Sequence, residues 1–212
     1  MSQANDMAPV IGTKLDLVKS LFARSIAIKQ NVLAHHCGSI VAMADICIGS
    51  LSGGGKLLLC GNGGSASDAQ HLAAELLVRL RPDVNGAGLP AIALALDMSS
   101  LTACGNDYSY EVYFERMTAA LGRPGDVLIG ITTSGKSMNV IKALKMAHAL
   151  GMKTLGFLGG SGGAALEHCD AALVVPSTET GRIQEVHITA GHALMELIED
   201  GLLESGVLSR TA

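Results

Sequence analysis

The chain has 212 residues, with 15 basic against 19 acidic side chains and a formal net charge of −4 when histidines are neutral. That balance argues against a nucleic-acid binder, which carries a basic footprint. With 49% hydrophobic, 16% charged and 3% aromatic residues and no Trp, the composition is too apolar for disorder and too poor in rings for aromatic stacking on a sugar, which leaves a compact domain.

The opening MSQANDMAPVIG has neither a basic start nor an apolar core, so no signal peptide is expected. From Lys14 to about Leu51, apolar residues recur near helical spacing: Leu15, Val18, Leu21, Phe22 and Ile26, then Val32 and Leu33, then Ile40, Val41, Ala44 and Ile48. Two helices are predicted. Leu17, Ile28 and Ile46 fall off the main stripe, so these helices offer more apolar surface than one sheet face buries, which points to subunit packing. The run from Ile40 to Leu51 carries Asp45 and falls well short of the roughly 20 apolar residues of a membrane span. Five cysteines, odd in number and without a CxxC, argue for a reducing, cytoplasmic compartment and against a cysteine metal site.

After Ser52-Gly53-Gly54-Gly55 the pattern changes to short apolar runs, each followed by a loop and a helical stretch. The runs are Lys56 to Cys60, Ala91 to Leu96, Val127 to Ile131, Thr154 to Leu158 and Ala171 to Val175. Five such units predict an α/β fold on a parallel sheet, with ligands at the carboxyl ends of the strands. A C-terminal helix is expected from about Gly181 to Leu203, and residues 205–212 read as a frayed tail. We read residues 1–212 as one domain: helices for oligomerisation over 1–52, a core over 53–204, and the tail.

Two loops carry most of the chemistry. After the first strand comes Gly61-Asn62-Gly63-Gly64-Ser65-Ala66-Ser67-Asp68 and a helix start, where glycines let backbone N–H groups approach an anionic or polar ligand. The sequence matches neither dinucleotide nor phosphate-loop fingerprints, and a tight structural turn explains it equally well. After the third strand comes Thr132-Thr133-Ser134-Gly135-Lys136-Ser137, whose four hydroxyls at a helix start suit a phosphate group. The plainer reading is an N-cap within a Ser-rich turn.

His71 and Glu75 stand four apart on a helix, hence on one face, a spacing that serves either two metal ligands or a coupled acid and base. Asp68, one turn earlier, has two roles open to it: orienting His71 or meeting substrate hydroxyls. The last helix adds Gln184, Glu185, His187 and His192. His35, His36, His148 and His168 read as satisfied core residues.

Four segments, CGNGGSASDAQHLAAEL at 60–76, TACGNDYSYEVYF at 102–114, ALGRPGDVLIGITTSGKSMNVIKAL at 120–144 and VPSTETGRIQEVHITAGHALMELIE at 175–199, resemble the sugar isomerase (SIS) domain proteins, and within them the phosphoheptose isomerases. The resemblance implies a three-layer, flavodoxin-like SIS fold with a five-stranded parallel sheet and two N-terminal helices, assembled as a homotetramer. It implies aldose-ketose isomerisation of sedoheptulose 7-phosphate to D-glycero-D-manno-heptose 7-phosphate with zinc assistance. By position, Asn62, Gly63, Gly64, Ser65, Asp68, Glu75, Asn106, Asp107, Thr132, Thr133, Ser134, Ser137 and Gln184 match substrate-binding residues. His71, Glu75, Gln184 and His192 match a zinc set, and Glu75 and His192 an acid/base pair. The implied chemistry moves a proton from C1 to C2 through an enediol, with Glu75 as base and the His192 imidazole across the sugar serving the oxygens. Zinc has a Lewis-acid role in this scheme. Thr132 stands where many relatives carry Ser, and the extension before Lys14 is longer than expected.

Gln184 and His192 are eight apart, about 12 Å of rise and roughly 80° of turn on a regular helix, too far to meet one ion easily. Either Gln184 lies at or before the helix start, or a ligand comes from another subunit, or all four do not bind at once. A competing reading is a non-catalytic SIS protein similar to the DnaA-binding regulator of replication initiation. Such relatives look degraded in the glycine loop and lack the final histidine, whereas GNGGS and His192 are both present here. A sugar-phosphate-sensing transcription regulator requires an attached DNA-binding domain, which the helices before the first strand do not supply.

Overall fold

The computed structural model describes residues 12–85 and 87–210. The reading of residues 1–11 lies outside the described residues, as does that of Thr211 and Ala212. In chain order the elements are α1 (Lys14–His35), α2 (Cys37–Ser52), β1 (Leu57–Gly61), α3 (Gly64–Leu77), β2 (Val84–Asn85), β3 (Ala91–Ala93), α4 (Met98–Asp107), a 3-10 turn (Tyr110–Val112) and α5 (Tyr113–Leu121). There follow β4 (Val127–Thr132), α6 (Met138–Ala149), β5 (Lys153–Gly159), a second 3-10 stretch (Gly163–His168), β6 (Ala171–Val175), α7 (Thr180–Glu204) and β7 (Ser209–Arg210).

The five apolar runs form one parallel sheet in the order β3-β1-β4-β5-β6. Every residue of β1 and β4 is buried, as a parallel sheet covered on both faces requires. Successive side chains alternate between two cores. Leu57, Leu59, Ile129 and Phe157 pack with α2, α3 and α7, while Leu58, Cys60, Leu128 and Leu158 pack with α5 and α6. These are three layers in a flavodoxin-like strand order, whose reversal point lies between β1 and β4. The loop after β1 and the loop after β4 therefore open onto the same crevice.

Two local expectations are corrected. The second strand, expected over Ala91 to Leu96, ends at Ala93. Leu94 N still donates to Leu59 O (2.9 Å), but the chain then turns so that Asp97 caps α4, its Oδ1 accepting from Ser99 N and Ser100 N at 3.0 and 3.3 Å. The tail is not frayed throughout, because Ser209 and Arg210 pair antiparallel with Val84 and Asn85.

The two N-terminal helices are present, broken at His36. Within α1, Val32 alone is buried, and Leu15, Val18, Phe22, Ile26 and Leu33 are all exposed, Phe22 at 68% and Leu33 at 73%. No single helix among the described residues is long and apolar enough to cross a membrane. Four histidines read as core residues are not in the core: His35 and His148 are exposed, and His36 and His168 are partly so. The buried imidazole is instead His187, with Nε2 3.1 Å from Leu158 O and its ring edge-on to Phe157. Burial pulls its pKa down to about 4, against a smaller upward effect of the Leu158 contact.

Candidate active site

The helical spacing of α3 puts His71 and Glu75 on one face, and α7 crosses that face with His192. His71 Nε2 lies 2.7 Å from His192 Nε2 and 3.2 Å from Glu75 Oε1. One ligand atom from each of the three falls within 4.8 Å of the others. Imidazole nitrogens and a carboxylate oxygen are ligand types that zinc takes at about 2.0–2.2 Å. The donor set of two imidazoles and a carboxylate thus fits a zinc ion.

Gln184 sits within α7, four residues past its first residue, so it does not lie at or before the helix start. Its amide lies over the start of α3: a Cβ on Gly64 would come within 2.5 Å of Gln184 Nε2. A side chain at Gly64 would push the Gln184 amide aside. Of the four residues in the expected zinc set, the structure gathers His71, Glu75 and His192 and seats Gln184 against the glycine turn.

The loop after β4 carries features of both of its readings. Ser137 occupies the N-cap position of α6 but makes no side-chain cap bond. Its Oγ turns inward to Thr132 Oγ1 at 2.9 Å, with Ser134 Oγ 3.5 Å from the same atom. The hydroxyls of Thr132, Ser134 and Ser137 cluster beside the helix N-terminus, with Ser134 Oγ also accepting from Lys136 N at 3.1 Å as a Ser-rich turn does, and such a helix start suits anion oxygens. Gly135, at φ +64°, lets the loop close over Gly162 and Gly163, where a Cβ would lie 1.9 Å from Gly162 O. The carbonyl of Thr133 faces Gly159 on β5.

The loop after β1 is joined to the loop after β4. Asn62 Nδ2 donates to Asn139 Oδ1 (2.9 Å), Asn139 Nδ2 donates to Asn62 Oδ1 (2.8 Å), and Tyr110 OH donates to Asn62 Oδ1 (2.5 Å). The sequence reading missed Tyr110 and Asn139. Each lies inside a segment that resembles the family, but no spacing rule points to either. Gly63 and Gly64 are exposed at the start of α3, and Ser65 is buried, its N–H donating to Asn62 O at 3.0 Å. Asp68 is half-buried with Oδ2 unpartnered, and burial raises its pKa while nearby His71 opposes that rise. At the end of α4, Asn106 Nδ2 donates to Asp107 Oδ1 (2.8 Å), and Asp107 lines a groove of about 700 Å³ with Ser100, Cys104, Tyr108 and Arg116. That groove is lined by α4 and α5, and none of the His71, Glu75, His192 cluster lines it.

Residues 21–159 match the model of the SIS domain family. The chain is 51% identical over 185 residues to the phosphoheptose isomerase of Chlorobaculum parvum, covering 87% of this chain and 88% of that one. It is 53% identical over 180 residues to the phosphoheptose isomerase of Roseiflexus sp., covering 85% and 90% respectively. Among solved structures, a phosphoheptose isomerase from Francisella tularensis superposes with a TM-score of 0.85 at 39% identity, over 89% of this chain and 99% of that one.

Proposed function

The chain belongs to the SIS domain family and, within it, to the phosphoheptose isomerases, and from that membership we propose that it isomerises sedoheptulose 7-phosphate to an aldoheptose 7-phosphate with zinc assistance. The observation that carries the mechanism is the convergence of His71, Glu75 and His192 within 4.8 Å. In this reading the phosphate rests on the hydroxyls of Thr132, Thr133, Ser134 and Ser137 at the start of α6, where the helix N-terminus favours negative charge by about 0.3–2 kcal/mol. Asn62, the glycine turn, Ser65, Asp68, Asn106, Asp107 and Gln184 address the remaining oxygens of the sugar.

Converting the ketose to the aldose removes a proton from C1 and places one on C2, while a proton passes from the C1 oxygen to the C2 oxygen. Glu75 takes the carbon-bound proton and returns it to C2. His192 gives a proton to the C2 oxygen as the enediol forms and accepts the one leaving the C1 oxygen. Each positioned group contributes typically ~10² to 10⁴-fold. His71, Glu75 and His192, with Gln184 alongside, are the residues that would hold zinc. When bound there, zinc supplies Lewis-acid polarisation of the sugar oxygens. The exposed apolar face of α1 supports self-assembly, which the family resemblance extends to a homotetramer, and the cysteine pattern supports a cytoplasmic compartment.

The test is incubation with sedoheptulose 7-phosphate and supplied zinc, following the appearance of an aldoheptose phosphate. Turnover is expected. Its absence with a folded, zinc-supplemented protein would move the assignment to the non-catalytic SIS regulators.

A further inference from the structure

One hydrogen-bond cluster joins three stretches of chain: Asn62 after β1, Tyr110 in the 3-10 turn after α4, and Asn139 at the start of α6. The amide orientation of Asn139 is set from its own helix, because its Oδ1 also accepts from Val140 N at 3.0 Å. An amide oxygen only accepts and an amide nitrogen only donates, so the orientation of Asn62 follows. Two donors, Asn139 Nδ2 and Tyr110 OH, then fill both acceptor directions of Asn62 Oδ1. One of its two Nδ2 hydrogens goes to Asn139 Oδ1. What Asn62 has left to offer a ligand is a single N–H.

We propose that Tyr110 and Asn139 are positioning residues that hold Asn62 as a one-proton donor toward an acceptor oxygen of the bound phosphosugar. The proposal rests on the reading of Asn62 as a substrate contact. It deepens that reading by excluding an accepting role for this amide. Asn139 is buried at 4% exposure, so its part is fixed by packing. Tyr110 is half exposed, and its turn is held to α6 separately by the Lys142–Glu111 ion pair at 3.2 Å. Removing the hydroxyl alone therefore leaves the turn docked and frees one lone pair on Asn62.

The experiment uses Tyr110→Phe, Asn62→Ala and the double variant of the full chain. Two readouts are taken: steady-state kinetics with sedoheptulose 7-phosphate, and the Asn62 side-chain amide resonance in ¹⁵N spectra without substrate, assigned by its loss in Asn62→Ala. Tyr110→Phe is expected to shift that resonance, to leave the melting temperature unchanged and to raise KM by about 3- to 10-fold with kcat little altered, the size of one net hydrogen bond. In the Asn62→Ala background it should add nothing. An unmoved resonance, or a Tyr110→Phe effect of equal size with and without Asn62, overturns the proposal. If the resonance moves while the unaltered enzyme fails to turn over the sugar phosphate, the hold on Asn62 stands and the proposed function is what fails.

Discussion

His71 Nε2 and His192 Nε2 are 2.7 Å apart although the residues are separated by 121 positions in the chain. At that distance one nitrogen donates and the other accepts, and a zinc ion held by both, at about 2.0–2.1 Å from each, would spread them further apart. We expect the purified enzyme to take up one zinc per chain, to melt at higher temperature with zinc than with chelator, and to lose both properties in His71→Ala. Metal content by mass spectrometry and a melting curve check this. An unchanged zinc stoichiometry in His71→Ala would remove the cluster from metal binding.

Glu75→Gln and His192→Ala are each expected to lower kcat by about 10² to 10⁴-fold, the range of a lost acid or base. Both residues are only partly buried, so far-UV circular dichroism should stay native. A wild-type rate in either variant overturns the role assigned to that residue.

Aspartates at Val18 and Phe22, both exposed on α1, should dissociate the assembly as read by light scattering. If the site is completed across subunits, the folded smaller species has no activity. Full activity in such a species refutes a shared site.

Glu199, at 3% exposure, accepts from Leu80 N at 3.1 Å and from Arg81 Nε at 2.7 Å, and Arg81 also reaches Asp200 Oδ1 at 2.7 Å. Arg81→Ala strands a buried carboxylate, which costs about 3 kcal/mol. Urea unfolding should show this with the slope unchanged, while an effect under 1 kcal/mol would mean that water reaches Glu199.

Asp170 is partly buried, which raises its pKa, but the Thr154 N–H and hydroxyl and the Lys153 ammonium outweigh burial and hold it below the ordinary value. A depressed folded pKa adds stability above the unfolded value of about 3.9 that disappears as pH falls through the folded value. The melting-temperature gap between wild type and Asp170→Asn should therefore be constant from about pH 7 to pH 5 and close below about pH 4. A gap that widens on acidification would reverse the sign.

Periodicity and glycine placement were enough to read the parallel sheet, the two leading helices and the long final helix, because these follow from which local residues are apolar and how they are spaced. His71 and Glu75 were legible for the same reason, since four positions on a helix is one face. What the chain order could not say was which loops share a crevice. That depends on β4 pairing with β1 rather than β3, which brings Asn62 to Asn139 across 77 positions. Nor did any spacing show that Ser137 turns from its helix to Thr132, that Tyr110 closes on Asn62, or that His187 is the core imidazole. Those outcomes come from hydrogen bonds between groups far apart in sequence. Their partners exist only once strand pairing and burial have placed them.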